Sequence, residues 1–376
     1  MNGNFDILLA SAKVASWNIS AWLSCLFFIA CSENLVTQPS LSSSEPEIPP
    51  YFREHIKAKE TEINNAIQSA NGNAAAFVFF TDAHWGQNQK KSPALINHLV
   101  YSTHIKDVIF GGDVITTFFL NPRDAIALGN EFQLAFDTLD CNMYYLYGNH
   151  DNNSDCNPDL LSQHLSEDQV YDYLQSRMGP CAYGGYYNFY FDREFCRTRF
   201  ICLDTGRFYY SRFRDKTLET VAFVLEALNS TPEGWHIILF SHIWSELEKN
   251  SNGVKEAYIP AFYRCFLDLF DTFNNRGSGE FVYNAHKIVF DFSNTSSKII
   301  CCIGGHNHLD ALLYSSDGIP VIINTTDSRQ TINDDKATKG TIKEQSVSVY
   351  VVDYEHSIMK RFRIGRGNDL VVPIEL

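Results

Sequence analysis

The sequence is poor in basic residues for its size. Its 376 residues include 30 Lys and Arg against 44 Asp and Glu, which gives a formal net charge of −14. Broad electrostatic binding of nucleic acid or of an anionic membrane surface needs a basic face. The composition therefore disfavours both partners. It leaves room for a phosphate-bearing substrate, because bound cations can reverse the sign of the field locally.

Thiolate metal sites are also poorly supported. The 10 cysteines include no CxxC pair, which a structural zinc site would normally use. Cys301 and Cys302 lie in an apolar, strand-like run, where buried free thiols are expected. The spacing of the other cysteines does not allow disulfide pairs to be assigned.

The N-terminus carries an apolar segment that is too short for a comfortable transmembrane helix. Residues 17–31 contain no charge, and Lys13 lies just upstream. The pattern predicts a signal peptide at residues 1–31, and the small residue before Cys31 resembles a bacterial lipoprotein cleavage site. Cys31 would then carry lipid; a plain signal peptide or short anchor is the alternative. Both interpretations predict export to the cell envelope, either the periplasm or the outer surface.

The rest of the chain divides into a tether and one domain. Residues 32–50 are rich in Ser, Pro and Glu and predict a tether, whereas 51–376 predict a single domain. In this domain short apolar strands alternate with helices, one of them expected at 256–274, before the chain ends in β hairpins. This order predicts an α/β fold of two stacked sheets with helices outside. Residues 152–199 form an insertion whose aromatic side chains either shape a pocket or pack on the domain.

Five apolar strands each end in residue types that bind metal ions. The runs are Thr81-Asp82-Ala83-His84, Gly111-Gly112-Asp113, Gly148-Asn149-His150-Asp151, Ser241-His242 and Gly304-Gly305-His306-Asn307-His308. In α/β sheets, ligands bind at the carboxyl edge of the strands. Carboxylate, imidazole and amide oxygen together suit Mn, Fe, Zn or similar ions. The set fits two divalent metal ions, and two ions a few Å apart can share one carboxylate and clamp a phosphate.

In order and spacing these motifs resemble those of the calcineurin-like metallophosphoesterase superfamily, from about residue 75 to 310. That family has a pair of mixed β-sheets flanked by helices, an αββα sandwich, and the leader is typical of an exported bacterial lipoprotein. The resemblance implies a first metal held by Asp82, His84, Asp113 and His308. It implies a second metal held by Asn149, His242 and His306, with Asp113 bridging the two.

The same resemblance implies two catalytic residues beside Asn149. His150 would lie near the substrate as general acid or phosphate-binding group, and Asp151 would orient it. The expected activity is hydrolysis of a small phosphomonoester or phosphodiester by a hydroxide that bridges the metals. Two alternatives stay open: a nuclease of the same fold, which the acidity disfavours, and a surface protein that binds metals without turnover. The His150–Asp151 pair favours an enzyme, because a purely structural metal site does not need it.

Overall fold

The computed structural model describes residues 47–116, 121–153, 163–179, 183–184, 187–206, 216–283, 286–329 and 336–376. The predicted signal peptide, Cys31 and the tether up to residue 46 lie outside the described residues. The described part begins as irregular chain and enters a 3-10 helix at Pro50–Phe52. None of its helices is both long enough and apolar enough to cross a membrane.

The elements alternate as the sequence predicts before giving way to hairpins. The α-helices of the described residues are α1 (Arg53–Ser69), α2 (Ser92–Thr103), α3 (Pro122–Phe136), α4 (Glu167–Leu174), α5 (Lys216–Asn229) and α6 (Ala261–Asn274). The strands are β1 (Ala74–Phe80), β2 (Asp107–Phe110), β3 (Asn142–Tyr145), β4 (Tyr183–Gly184), β5 (Phe189–Arg193), β6 (Thr198–Leu203), β7 (His236–Ser241), β8 (Glu246–Lys249), β9 (Lys255–Tyr258), β10 (Ser278–Tyr283), β11 (His286–Asp291), β12 (Lys298–Gly304), β13 (Ala311–Tyr314), β14 (Pro320–Ile323), β15 (Ser346–Asp353), β16 (Ile358–Gly365) and β17 (Leu370–Pro373).

Most strands belong to two mixed sheets. The first has the order β17-β16-β15-β1-β2-β3 and the second the order β13-β14-β12-β7-β6-β5-β4. In the first, β1, β2 and β3 are parallel and in register, so that Phe80 pairs with Phe110 and Phe110 with Tyr145. In the second, β7 and β12 are parallel, with Phe240 opposite Ile303. The polar motifs therefore all leave their sheets at carboxyl ends.

Aromatic side chains hold the two sheets together. The ring of Phe77 in the first sheet meets the edges of Phe200 and Phe240 in the second, at 5.5 and 5.3 Å between ring centroids. Helices α1 to α4 bury apolar residues against the outer face of the first sheet, and α5 and α6 against that of the second. Offset and edge-on aromatic pairs of this kind add to the free energy of burial. The predicted fold, two stacked mixed sheets flanked by helices, is confirmed.

One predicted helix begins too early. Residues 255–258 form β9, which pairs with β8 in a separate two-stranded hairpin, and α6 starts only at Ala261. Pro260 explains the boundary. It has no N–H to donate, and it disfavours helical backbone at the residue before it.

The described part of the insertion packs on the domain. Phe189 and Phe191 on β5 are buried in the layer between the sheets. Arg193 at the end of β5 binds the carboxylate of Asp107 and donates to the hydroxyl of Tyr144 at 2.9 Å. Since Asp107 begins β2, this ion pair lies at the edge of the sheet opposite the polar motifs.

Candidate metal centre

The loops that follow the strands bend sharply at the residues predicted to bind metal. Five of those seven residues have a positive φ, between 39° and 72°: Asp82, His84, Asp113, His306 and His308. Positive φ is uncommon outside glycine, and several such residues in one place suggest a functional site. Backbone bonds hold the first two loops together, because Asp82 N–H donates to Gly112 O at 2.9 Å and His84 N–H to Asp113 O at 3.0 Å.

The first candidate cluster joins the two sheets. It contains Asp82 and His84, which follow β1, and His308, which follows β12. His308 Nε2 lies 3.2 Å from Asp82 Oδ1 and 3.0 Å from His84 Nε2. The other oxygen of Asp82, Oδ2, accepts hydrogen bonds from the Thr81 hydroxyl at 2.7 Å and from His306 N–H at 3.0 Å. These two donors orient the carboxylate so that Oδ1 faces the imidazoles.

The second cluster repeats this arrangement a short distance away. Asp113 after β2, His242 after β7 and His306 after β12 form it. His242 Nε2 lies 3.1 Å from Asp113 Oδ2. The amide oxygen of Asn149 completes the group, at 3.1 Å from His242 Nε2 and 2.9 Å from His306 Nδ1. Asp82 Oδ1 lies 4.0 Å from His242 Nε2, so the two clusters are adjacent.

The spacing of these atoms fits metal ions. Two ligand atoms bound to one ion at about 2.1 Å lie roughly 3.0–3.4 Å apart in octahedral or tetrahedral geometry. The neighbouring atoms within each cluster are separated by 2.9–3.2 Å. Within the described residues, the buried oxygens Asp82 Oδ1 and Asp113 Oδ2 face only the imidazole nitrogens of the clusters, with no backbone N–H or hydroxyl donor. A buried carboxylate needs positive charge beside it, and a cation between the oxygen and the imidazoles would supply that charge.

The electrostatics of the clusters also favour a cation. Burial opposes ionisation of Asp82, but His242 and His308 hold the pKa of Asp82 at about 2. Burial likewise lowers the pKa of His242, yet Asp113 and Asp82 outweigh it and raise that pKa to about 10. In a chain without metal, His242 therefore carries the positive charge that the two carboxylates require. An ion between them would take over that charge and leave His242 Nε2 as a neutral donor.

His84 is already in the form that binds a metal. Burial and the neighbouring His308 lower the pKa of His84 to about 3, so the ring is neutral at ordinary pH. Its Nδ1 faces the carbonyl of Ile115 at 3.0 Å and must carry the hydrogen. The lone pair on Nε2 then faces the cluster. Metal-binding histidines commonly have this outer hydrogen bond, which fixes both tautomer and ring orientation.

His150 and Asp151 take different positions. The His150 side chain is 16% exposed, and its Nε2 lies 3.7 Å from Asp113 Oδ2, at the mouth of the centre. The Asp151 carboxylate is fully buried and accepts backbone N–H groups from Asp113, Val114 and Gly148 at 3.1, 2.8 and 2.7 Å. Through these bonds it holds the loops after β2 and β3 together; its predicted role in orienting the His150 ring stays a prediction. Burial and the charge of Asp113 raise the pKa of Asp151 to about 7.

A comparison with protein families agrees with this geometry. The model of the calcineurin-like phosphoesterase family matches residues 75–310, well over half of the chain. The chain belongs to the calcineurin-like phosphoesterase family. This membership makes it a metal-dependent phosphoesterase, and its two candidate clusters indicate a dinuclear centre.

Solved structures of other proteins resemble this chain, and the first of these shows the same fold. A dimetal phosphatase from Danio rerio is 12% identical and superimposes with a TM-score of 0.51, covering 80% of this phosphoesterase and 99% of that chain. A phosphopantetheinyl hydrolase from Mycobacterium tuberculosis is also 12% identical, with a TM-score of 0.33 and coverage of 68% and 91%. No curated protein sequence matches this phosphoesterase significantly.

The structure brings all nine predicted site residues of this phosphoesterase to one edge of the sandwich. Three features were not predicted. The first is the left-handed backbone of most ligand candidates. The second is the set of backbone hydrogen bonds by which Asp151 holds two loops together. The third is Glu246 on β8, whose Oε2 lies 3.7 Å from His306 Nε2. Glu246 follows His242 by four residues, but nothing in a polar, alternating strand marks it as a site residue. The residue type and position of Asp151 mark it in the sequence, but its contacts depend on how the two loops approach each other.

Proposed function

We propose that the protein is a dinuclear phosphoesterase that hydrolyses a small phosphomonoester or phosphodiester. In this proposal Asp82, His84 and His308 bind one metal, Asn149, His242 and His306 bind the other, and Asp113 bridges them. The observation that carries the proposal is the pair of clusters with mutual ligand spacings of 2.9–3.2 Å, each containing a buried carboxylate oxygen that faces imidazole nitrogens. When bound, the two ions stabilise charge on a phosphoryl oxygen and lower the pKa of a shared water from about 16 towards about 7.

Asp113 and Asp151 keep this arrangement in place. Asp113 Oδ2 faces the second cluster, while Asp113 Oδ1 accepts the backbone N–H of His150 at 2.9 Å. The carboxylate of Asp113 therefore contacts both the proposed bridging position and His150, which lies at the mouth of the centre. Asp151 fixes the loops on both sides through three backbone N–H groups. Positioning of this kind matters because a displacement of about 1 Å can reduce a rate about 100-fold.

His150 is proposed to act directly on the substrate. Its partly exposed ring stands beside the ring of His84, with 5.3 Å between centroids, and its Nε2 faces the centre. From there Nε2–H can donate to a phosphoryl oxygen and transfer its proton to the departing oxygen. General acid catalysis of this kind contributes roughly 100-fold to 10,000-fold in rate.

A substrate panel with a His150 variant tests the proposal. The Mn²⁺-loaded protein should cleave an aryl phosphomonoester or phosphodiester, and His150→Asn should lose at least about 100-fold of this turnover while keeping two metals per chain. His104→Asn is the matched control, because His104 is exposed and has a φ of 59°, which asparagine tolerates well. Full metal content without turnover on any ester would favour a binding protein. Salt-resistant cleavage of single-stranded DNA would instead favour a nuclease.

We further propose that the substrate is a small phosphate ester met outside the cytoplasm, and that any membrane contact is made through the N-terminus. The support is the apolar, uncharged stretch 17–31 that ends at Cys31, together with the net charge of −14. Cell fractionation, with mass spectrometry of the mature N-terminal peptide, tests this proposal. A lipid on Cys31 in the membrane fraction is expected, and its loss in Cys31→Ser should release the protein.

A further inference from the structure

In His84, His242 and His306, the ring nitrogen that points away from the cluster has its own partner. These partners are of two kinds, backbone carbonyls and a carboxylate. His84 Nδ1 faces the backbone carbonyl of Ile115 at 3.0 Å, and His242 Nδ1 faces that of Gly111 at 2.7 Å. Both carbonyls belong to the loop after β2, close to Asp113. These two rings are therefore fixed by the backbone, which side-chain variation cannot remove.

His306 is held in the opposite orientation. Its Nδ1 points into the second cluster, 2.9 Å from Asn149 Oδ1, so Nε2 points outwards. There it meets a carboxylate, Glu246 Oε2, at 3.7 Å. Glu246 is the first residue of β8 and has about a quarter of its side chain exposed. Among the described strands, β8 pairs with β9 alone, in a hairpin outside the two main sheets.

We infer that Glu246 is a positioning residue that sets the strength of the second metal site. The inference rests on the proposed role of His306 as a metal ligand through Nδ1. With Nδ1 on the metal, Nε2 must carry the hydrogen, and the Glu246 carboxylate is the acceptor that faces it. A change of less than an ångström closes the 3.7 Å separation to a hydrogen bond. The bond then holds the ring in its binding orientation and makes Nδ1 a stronger donor.

The effect should be confined to one of the two metals. Asp82, His84 and His308 belong to the other cluster, and their partners Thr81 and Ile115 do not involve the hairpin. Asp82 Oδ2 does accept the backbone N–H of His306, but substitution of a side chain on β8 leaves that backbone bond in place. Loss of the Glu246 charge should therefore weaken the second site while the first keeps its affinity.

The experiment titrates the metal-free full-length protein with Mn²⁺ alone and follows both binding steps by calorimetry and by the electron paramagnetic resonance of the coupled Mn²⁺ pair. In Glu246→Gln we expect one binding step to lose about 10-fold to 100-fold in affinity, with the other step within about twofold of the parent. The coupled-pair signal should then require correspondingly more Mn²⁺. Glu246→Asp keeps the charge and should recover part of the loss.

Glu248→Gln is the matched control. Glu248 lies two residues further along β8 and is exposed, opposite Glu256 in the register of the hairpin. Its substitution should leave both binding steps unchanged. Two results would overturn the inference: both steps within twofold of the parent in Glu246→Gln, or an equal loss in both steps. An equal loss would mean a general distortion of the centre.

This test is separate from the test of the proposed function. Metal binding is measured without substrate, so a protein that binds two Mn²⁺ ions and hydrolyses nothing would contradict the proposed function and leave the role of Glu246 intact. Conversely, an active enzyme whose second site binds Mn²⁺ equally well in Glu246→Gln would contradict only this inference. Thermal unfolding of the metal-free variants, expected to match the parent closely, shows that the hairpin has kept its fold.

Discussion

Gly148 is a position where the addition of a single methyl group should disturb the centre directly. A Cβ at this residue would lie 2.1 Å from Asp113 Oδ1 and 2.3 Å from Asp113 N. Asp113 Oδ1 belongs to a side chain, but its hydrogen bond from His150 N–H holds it in place. Asp113 N belongs to the backbone, so no change of rotamer can move it. Gly148→Ala therefore has to move the loop after β2 or the loop after β3.

The size of the movement follows from these distances. An ordinary van der Waals contact of a Cβ begins at 3.4 Å, so the two loops must separate by about an ångström. Overpacking of this kind costs about 1–3 kcal/mol of stability. Because Asp113 and Asn149 lie in the two loops that separate, a shift of this size disrupts coordination, and a displacement of about 1 Å reduces catalysis roughly 100-fold. We expect Mn²⁺ affinity to fall at least about tenfold.

Urea unfolding of the metal-free protein and Mn²⁺ titration measure the two effects separately. Gly318→Ala is the control. Gly318 has a φ of 96° and open space around its Cβ position, so the substitution should cost about 1 kcal/mol through backbone strain alone and leave metal binding intact. A Gly148→Ala protein with parental stability and two parental Mn²⁺ sites would refute the close approach of the loops as the reason for this glycine.

Two further substitutions test the surroundings of the centre. Thr81→Val removes one of the two donors to Asp82 Oδ2 with almost no change of shape; we expect a loss of about 1–3 kcal/mol in unfolding free energy and weaker binding of the first Mn²⁺ in the same titration, and unchanged binding would contradict the orienting role of the hydroxyl. His55 Nε2 accepts the N–H of Gly365 at 3.1 Å, and burial lowers the pKa of His55. As the pH falls, His55 therefore binds a proton in the unfolded chain before it does so in the folded chain. The free energy of unfolding should decrease as the pH drops below about 6.5. His55→Gln keeps an acceptor and should show a shallower fall in urea unfolding between pH 7.5 and 5.5; an identical slope would show that His55 does not contribute.

The central strands were the most predictable part of the fold. Strand β2 is buried along its whole length, and β7 is buried at every residue but its first. Parallel strands in the middle of a sheet are buried on both faces and appear as continuous apolar runs. Metal-ligand residue types directly after such runs indicate the carboxyl edge of the sheet. These local patterns were sufficient to predict the αββα arrangement and the grouping of the candidate ligands.

The peripheral elements gave weaker local signals. Strand β9 at Lys255–Tyr258 is short, largely exposed and polar. The predicted helix at 256–274 overlaps it because no apolar period marks where the strand ends. The proximity of Glu246 to His306 depends on how the β8–β9 hairpin lies against the loop after β12. The bonds of Asp151 depend on a close approach of two loops. Neither contact has a counterpart in sequence spacing.

Each metal cluster contains residues from both sheets, and this has a consequence for folding. His84 and His308, whose Nε2 atoms lie 3.0 Å apart, are separated by 224 positions in the chain. We expect a contact of such long range to form after the aromatic layer has closed, because contacts of this kind slow folding. Neither half of the chain alone contains a complete cluster, so metal uptake is expected to be a late step that stabilises an already assembled sandwich. Metal uptake would thus report completed folding.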